Sequence, residues 1–128
     1  MSEPIWLSEA AIVALHEELI VEHGGLGGVC NPGLLASALA RPQNLLAYGE
    51  PNLFELAAAY AFGLVRNHPF IDGDKRAGLM TAYVFLRLNG YRLIASEAEA
   101  VAVIRDLAAS EIEEAELGRW IEANVEAL

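Results

Sequence analysis

Cysteine and lysine are almost absent from this sequence, and each shortage excludes a class of protein. Cys30 is the only cysteine in 128 residues, which excludes an internal disulfide framework and a zinc site built from cysteines alone. Lys75 is the only lysine. The chain has 8 Lys and Arg residues and 18 Asp and Glu residues, so the net charge is −10. Nucleic-acid binding requires clustered Lys and Arg side chains, and we therefore expect no direct contact with nucleic acid.

Long hydrophobic runs are also missing. No apolar stretch reaches the roughly 18 residues that a membrane span needs. Yet 55% of the residues are hydrophobic, and the mean hydropathy of +0.33 is too high for a disordered chain. Residues 1–4 carry no base and lead into no long apolar stretch, so no secretory signal is predicted. We expect one globular domain over residues 1–128, located in the cytoplasm and without membrane contact.

Helical periodicity and capping residues predict an all-α fold, a compact bundle of about six helices. Ser8 caps a first helix that ends near residue 22. Asn31 opens a short second helix, which Pro42 is expected to end near residue 40. Residues 43–52 are then expected to form an exposed loop or a short hairpin.

The second half of the chain predicts the buried centre of this bundle. Residues 53–66 and 77–88 are apolar on nearly every face, and helices with this pattern are buried on all sides. No alternating strand pattern accompanies them. Two later capping boxes each open a further helix: Ser96 with Glu99, and Ser110 with Glu113.

The segment that joins the two buried helices concentrates chemically active side chains. Five lie within nine residues: His68, Asp72, Asp74, Lys75 and Arg76. Asp74 stands where the N-cap of the following helix is expected, so free backbone N–H groups from about Lys75 to Ala77 form an anion site. Lys75 and Arg76 add positive charge at a helix N-terminus, which is unfavourable unless an anion such as phosphate binds.

Two further side chains complete a chemical pattern around this anion site. Asp72 can supply an oxygen ligand to magnesium, which usually binds through one or two carboxylates and substrate phosphates. His68 is the nearby proton acceptor suited to neutral pH. A base, a metal ligand and an anion site together predict phosphoryl or nucleotidyl transfer.

The same segment resembles a known family motif. It has the form His-Pro-Phe-x-Asp-Gly-x-Lys-Arg from His68 to Arg76, which is similar to HPFxxGNGR of Fic enzymes and HxFxDANKR of the death-on-curing (Doc) toxins. Lys75 takes the place of a Fic glycine and favours the Doc type. The segments ARPQNLLAYGEP and LFELAAAYAFGLVRN and the chain length also resemble Doc toxins, so the resemblance covers most of the chain.

The resemblance implies a role for each residue of the motif. His68 would take the proton from a target hydroxyl, Asp72 would hold Mg²⁺, and Phe70 would anchor the loop in the core. The catalytic set would be His68, Asp72, Lys75 and Arg76, and the phosphates of the substrate ATP would be lined by Gly73, Asp74, Lys75 and Arg76. Residues 43–51 would match a flap that aligns the target segment through main-chain hydrogen bonds.

The resemblance also implies a function and partners. The chain would be a Doc-type toxin of a type II toxin–antitoxin system, an enzyme that transfers a phosphoryl group from ATP to a hydroxyl of a translation factor, such as elongation factor Tu. A Phd-like antitoxin would dock a helix in a groove of the chain, and the acidic surface favours a basic docking segment. Fic-like AMP transfer is the alternative, and Lys75 argues against it.

Two positions depart from the family pattern. Asp74 replaces the usual Asn, and Ala77 replaces the usual Thr. A carboxylate cannot donate to a phosphate oxygen, and it repels one by about 4 kcal/mol at 4 Å and an effective dielectric of 20. Three interpretations remain open: an attenuated or inactive toxin that keeps nucleotide or antitoxin binding, an active enzyme whose Asp74 faces a second metal, and a helix cap that leaves activity intact.

Other polar residues carry weaker signals. His16 and His23 lie seven positions apart rather than four, so they are not predicted to share a metal. Ser110 and Glu114 faintly resemble the inhibitory motif of Fic proteins. Ala115 follows them instead of Gly or Asn, and we interpret this segment as a helix cap.

Overall fold

The computed structural model describes residues 3–128 and confirms the predicted all-α fold. Six helices and two short strands follow in chain order: α1 (Glu9–His23), α2 (Pro32–Tyr48), α3 (Leu53–Asn67), α4 (Asp74–Leu88), β1 (Tyr91–Leu93), α5 (Glu97–Ala108), α6 (Glu114–Ala123) and β2 (Val125–Ala127). The two strands pair antiparallel, with Arg92 opposite Glu126. Within residues 3–128, none of the helices is long and apolar enough to cross a membrane.

Helices α3 and α4 form the centre of the bundle, as their apolar sequences predict. Nine of the 15 residues of α3 are buried, and α3 packs against α2, α4, α5 and α6. Glycines bring the helices close together. A Cβ atom on Gly63 would lie 3.0 Å from the Cα of Ala38 in α2, and one on Gly78 would lie 2.9 Å from a methyl group of Val65. The loop between α3 and α4 is therefore held at both ends by the most buried helices.

Helix α2 is longer than predicted. It continues through Pro42 as far as Tyr48, so the expected end near residue 40 is wrong, and most of the expected loop or flap hairpin over residues 43–52 is helical. A proline inside a helix costs about 3 kcal/mol because a hydrogen bond is lost and the preceding turn is crowded. Pro42 is buried together with Leu35 and Ala38, and the packing of α2 against α3 compensates for this cost.

Helix α4 begins one residue earlier than its expected N-cap implies, at Asp74 rather than Lys75. Gly73 is its N-cap and has a left-handed conformation, with φ 80° and ψ 20°, and no side chain caps this helix. The expectation that Asp74 is the N-cap is therefore wrong. Glycine adopts the left-handed conformation without steric cost. The loop therefore ends at Gly73, and Asp74 is already part of the helix.

The two predicted capping boxes have opposite outcomes. Ser96 and Glu99 form the expected reciprocal box at the start of α5. The box predicted for Ser110 and Glu113 is absent, since Ser110 has a φ of 63° within a turn and α6 begins one turn later, without a side-chain cap.

The turn after α4 ties together the two ends of the described chain. The side chain of Asn89 accepts a hydrogen bond from the N–H of Ile5 at 2.8 Å and donates one to the Ile5 carbonyl at 3.0 Å. The N–H of Leu128 donates to the carbonyl of Gly90 at 2.9 Å. Both ends are thus attached at the end of α4 opposite to the α3–α4 loop.

Candidate active site

Residues 68–73 connect α3 to α4, and backbone hydrogen bonds fix their course. His68 ends α3 in a left-handed conformation, with φ 49° and ψ 55°. The carbonyl of Pro69 accepts hydrogen bonds from two N–H groups of the segment 28–31, at 2.8 and 3.1 Å, and the N–H of Ile71 donates to a carbonyl of that segment at 3.2 Å. The loop is therefore attached along its first half to the segment that precedes α2.

Phe70 lies at the centre of this loop and is 2% exposed, which is the anchoring position that the motif implies. Its ring stacks on the imidazole of His16 from α1, with centroids 3.8 Å apart and planes at 7°. His16 is itself 1% exposed. The sequence does not predict this contact, because His16 and Phe70 lie 54 residues apart and meet only through the packing of α1 against the loop.

His68 and Asp74 form a pair at the start of the loop. The Nδ1 atom of His68 lies 3.5 Å from Oδ2 of Asp74, and the imidazole side chain is 65% exposed whereas the carboxylate is 9% exposed. The Asp74 Oδ1 atom accepts a hydrogen bond from the buried N–H of Phe70 at 3.0 Å. The carboxylate thus points back into the loop, and Nε2 is the imidazole nitrogen of His68 that it does not face.

Asp72 lies at the exposed edge of the loop. Its Oδ2 atom accepts a hydrogen bond from the N–H of Leu26 at 2.8 Å, and its backbone carbonyl lies 2.6 Å from Nε2 of His16. Within residues 3–128 no group of three or more His, Cys, Asp and Glu side chains could enclose a metal ion. A magnesium ion at Asp72 would complete its coordination with other oxygen ligands, such as water and substrate phosphates.

Lys75 and Arg76 occupy the exposed first turn of α4. The first hydrogen bond of this helix runs from the N–H of Ala77 to the carbonyl of Gly73 at 2.9 Å. The free N–H groups therefore belong to Asp74, Lys75 and Arg76, which shifts the predicted anion site one residue toward the N-terminus. In the described part of the chain, neither Lys75 nor Arg76 forms an ion pair with an acidic residue.

One cavity of about 660 Å³ brings all the predicted site residues together. Its lining includes His68, Asp72, Gly73, Asp74, Lys75 and Arg76. The volume is in the usual range for a small-molecule site. The arrangement combines an imidazole, a carboxylate, two cations and free N–H groups around one space, and such groups can bind a phosphate and accept a proton.

Helix α5 supplies a wall of this cavity that is not predicted from the sequence. Four of its residues line the cavity: Glu97, Val101, Ile104 and Arg105. Their spacing of four, three and one places them on one helical face. That spacing is visible in the sequence, but nothing in it indicates that this face turns toward a loop some thirty residues earlier.

A second cavity of about 430 Å³ lies between α2 and α3, next to Asn67. It contains part of the segment that was expected to be a flap, including Asn44, Leu45 and Tyr48. Arg41 also lines it. The guanidinium of Arg41 lies 4.5 Å from the centroid of the Phe62 ring and forms an ion pair with Glu114 of α6. The expected flap is therefore a helical wall rather than a hairpin.

Comparison with known proteins identifies the family. Residues 6–86 match the Fic/DOC family, and this span contains α1 to α3, the whole 68–73 loop and most of α4. The chain therefore belongs to the Fic/DOC family.

Two relatives with known names are similar to this chain over more than half of its length. The chain is 38% identical over 91 residues to Protein kinase doc of Escherichia phage P1, an alignment that covers 70% of this chain and 72% of the relative. It is 42% identical over 78 residues to Toxin Doc of Mycolicibacterium smegmatis, with 59% of each chain covered. One of these relatives is thus named as a protein kinase and the other as a toxin.

Proposed function

We propose that this chain is a Doc-type toxin that transfers the γ-phosphoryl group of ATP to a hydroxyl group of a protein and releases ADP. The observation that carries the proposal is the meeting of His68, Asp72, Lys75 and Arg76 in one cavity at the start of α4. The names of the two relatives support it, since one is a protein kinase and the other a toxin.

In this proposal the start of α4 binds the phosphates of ATP. The free N–H groups of the first turn donate to phosphate oxygens, and the positive end of the helix dipole favours the negative charge. Lys75 and Arg76 add two cations that are exposed. With a phosphate bound, their position at a helix N-terminus becomes favourable.

Asp72 is the residue that fits a magnesium ion. It offers a carboxylate at an exposed edge of the cavity, and oxygen ligands are those that magnesium prefers. Magnesium is commonly held by one or two carboxylates together with substrate phosphates, which agrees with a single carboxylate here. When bound, the ion would neutralise charge on the phosphates.

His68 is the base that accepts the proton of the target hydroxyl. Its side chain is 65% exposed and lines the cavity, so a protein substrate can reach it. Asp74 faces Nδ1 at 3.5 Å, and a proton on Nδ1 leaves the lone pair of Nε2 available. General-base catalysis of this kind contributes about 10²- to 10⁴-fold to a rate.

The protein substrate that we propose is a translation factor, elongation factor Tu, which would place the chain in the cytoplasm. The cellular partner would be a cognate Phd-like antitoxin with a segment that folds on binding. Large apolar side chains on the surface support such a partner, among them Val21 at 87% and Leu26 at 66% exposure.

A second candidate function is nucleotide or antitoxin binding without turnover. The observation that favours it is the carboxylate of Asp74, which lies at the first turn of α4 among the groups that would bind phosphate. A negative charge at this position weakens the binding of phosphate oxygens.

One labelling experiment separates these functions. Purified protein is mixed with elongation factor Tu, magnesium and ATP labelled at either the γ or the α position. Transfer of the γ label supports the proposed kinase, and transfer of the α label identifies an AMP transferase. No transfer, together with ATP binding detected by calorimetry, favours the binding module.

The antitoxin is tested separately. Co-purification with the product of the neighbouring gene, and a rise in melting temperature when that product is added, are expected. Recovery of the chain alone, with no change in melting temperature, would contradict the toxin–antitoxin assignment.

A further inference from the structure

The imidazole of His16 is a buried polar group that the proposed reaction does not use. It lies on the inner face of α1, where it is 1% exposed, and its Nε2 atom is 2.6 Å from the backbone carbonyl oxygen of Asp72. A carbonyl oxygen can only accept a hydrogen bond, so Nε2 must carry the proton. His16 thus donates a short hydrogen bond to the residue that fits magnesium.

The carbonyl of Asp72 lies in the second half of the loop, next to Gly73, whose own carbonyl accepts the N–H of Ala77. The first half of the loop is attached to the segment 28–31 by backbone hydrogen bonds, whereas the contact to the Asp72 carbonyl comes from His16. Gly73 follows with a φ of 80°. Because glycine accepts many backbone conformations, rotation of the peptide between Asp72 and Gly73 meets little steric resistance.

The side chain of Asp72 is also held by a residue close to the end of α1. Its carboxylate accepts the N–H of Leu26 at 2.8 Å, and Leu26 lies just after the end of α1. The two contacts attach the backbone of Asp72 to α1 and its carboxylate to the segment that follows α1. Loss of either one would allow the carboxylate to turn.

We propose that His16 is a positioning residue, whose Nε2–H group fixes the Asp72 peptide so that the carboxylate faces the phosphate site. The inference rests on the proposed function, because it concerns the magnesium ligand of that site. The N–H donor of His16, and not the size of its ring, is expected to hold the Asp72 peptide in position. Residues that orient metal ligands typically change metal affinity by 10- to 100-fold when they are removed.

Two substitutions distinguish the effect of the N–H donor of His16 from the effect of its ring. His16→Phe keeps a flat ring against Phe70 but removes the N–H group. His16→Gln removes the ring and keeps an N–H donor at a similar reach from the backbone. Tyr60→Phe is the matched control, since the Tyr60 hydroxyl accepts a buried hydrogen bond from the N–H of Leu7 at 3.2 Å outside the cavity.

The measurement is ATP binding by calorimetry over a range of magnesium concentrations. For His16→Phe we expect the magnesium concentration at half-maximal enhancement of ATP binding to rise by about 10- to 100-fold, with ATP binding in the absence of magnesium unchanged. His16→Gln should remain within about threefold of the parent protein. Tyr60→Phe should lower the melting temperature without changing the magnesium dependence.

Equal magnesium dependence in the parent protein and His16→Phe would overturn the inference and leave His16 as a packing residue. If His16→Phe does not fold, the inference still requires that folded His16→Gln keeps the parent magnesium dependence, and a 10-fold loss there would overturn it. The tautomer is tested on the parent protein, where long-range ¹⁵N–¹H NMR at neutral pH should show the proton of His16 on Nε2. A proton on Nδ1 alone would contradict the hydrogen bond to Asp72.

Failure of the proposed function gives a different pattern. If the parent protein binds ATP with no dependence on magnesium, the magnesium site at Asp72 is wrong. The NMR measurement then reports separately on the contact between His16 and Asp72.

Discussion

Replacing Asp74 by alanine should destabilise the protein, whereas replacing it by asparagine should not. The Oδ1 atom of Asp74 accepts the buried N–H of Phe70 at 3.0 Å. Alanine leaves that N–H group without an acceptor, and an unsatisfied buried donor costs about 1–3 kcal/mol. Asparagine keeps a carbonyl oxygen in the same place and loses only the charge near the helix N-terminus, so its effect should be about 0.5 kcal/mol.

The assay is thermal and urea unfolding of the three proteins at neutral pH. For a domain of 128 residues, the cost in Asp74→Ala corresponds to a fall in melting temperature of roughly 3–15 °C. Asp74→Asn should remain within about 2 °C of the parent protein. Equal stability of the two variants would refute the reasoning, because it would mean that the carboxylate does not hold Phe70 in place.

The same pair of variants tests the charge of Asp74 in nucleotide binding. Both remove a negative charge from the first turn of α4, and we expect ATP to bind several-fold to 100-fold more tightly, as screening reduces a repulsion of about 4 kcal/mol to about 1–3 kcal/mol. Calorimetric titration at low and high magnesium is the measurement. A loss of affinity in Asp74→Asn as magnesium rises would instead identify Asp74 as a ligand of a second metal.

Three further outcomes are expected. His68→Ala should keep its melting temperature, since the side chain is 65% exposed, and should lose about 10²- to 10⁴-fold in transfer rate; a variant that modifies the target as fast as the parent would remove His68 as the base. Gly78→Ala should cost about 1–3 kcal/mol in urea unfolding, because its Cβ would lie 2.9 Å from Val65; unchanged stability would show that α3 and α4 can separate. Burial raises the pKa of Tyr60 above its usual value of 10.0, against a smaller lowering by a backbone hydrogen bond. The folded state then holds this proton more tightly than the unfolded state, so its contribution is present below about pH 10 and is lost as the pH rises through the folded-state pKa. Tyr60→Phe should show a smaller alkaline loss of stability, and an identical pH profile would contradict this assignment.

The helical fold could be predicted because its signals are local. The all-round apolar pattern of residues 53–66 and 77–88 identified the central helices, and the Ser96 capping box identified the start of α5. The failures have tertiary causes. Pro42 stays inside α2 because its face is buried together with Leu35 and Ala38, and no local rule reports that burial.

The candidate site was predictable to the extent that it lies in one segment. The chemically active residues from His68 to Arg76 lie close together in the sequence, and the structure brings them into one cavity. The α5 wall and His16 come from distant parts of the chain, so their participation depends on how the helices pack. The direction of the Asp74 carboxylate could not be predicted either, because it depends on the contacts with the N–H of Phe70 and the imidazole of His68.

The hydrogen bonds at Asn89 and Gly90 have a consequence for how this chain can be rearranged. Ile5 and Leu128 are attached to adjacent residues of one turn, so a short flexible linker could join Leu128 to Ile5. A new start could then be opened in the turn between α5 and α6, where residues 109–111 are exposed. Helix α4 separates that junction from the 68–73 loop by 15 residues, or about 22 Å. The circularly permuted protein should therefore keep the cavity intact while the order of its helices changes.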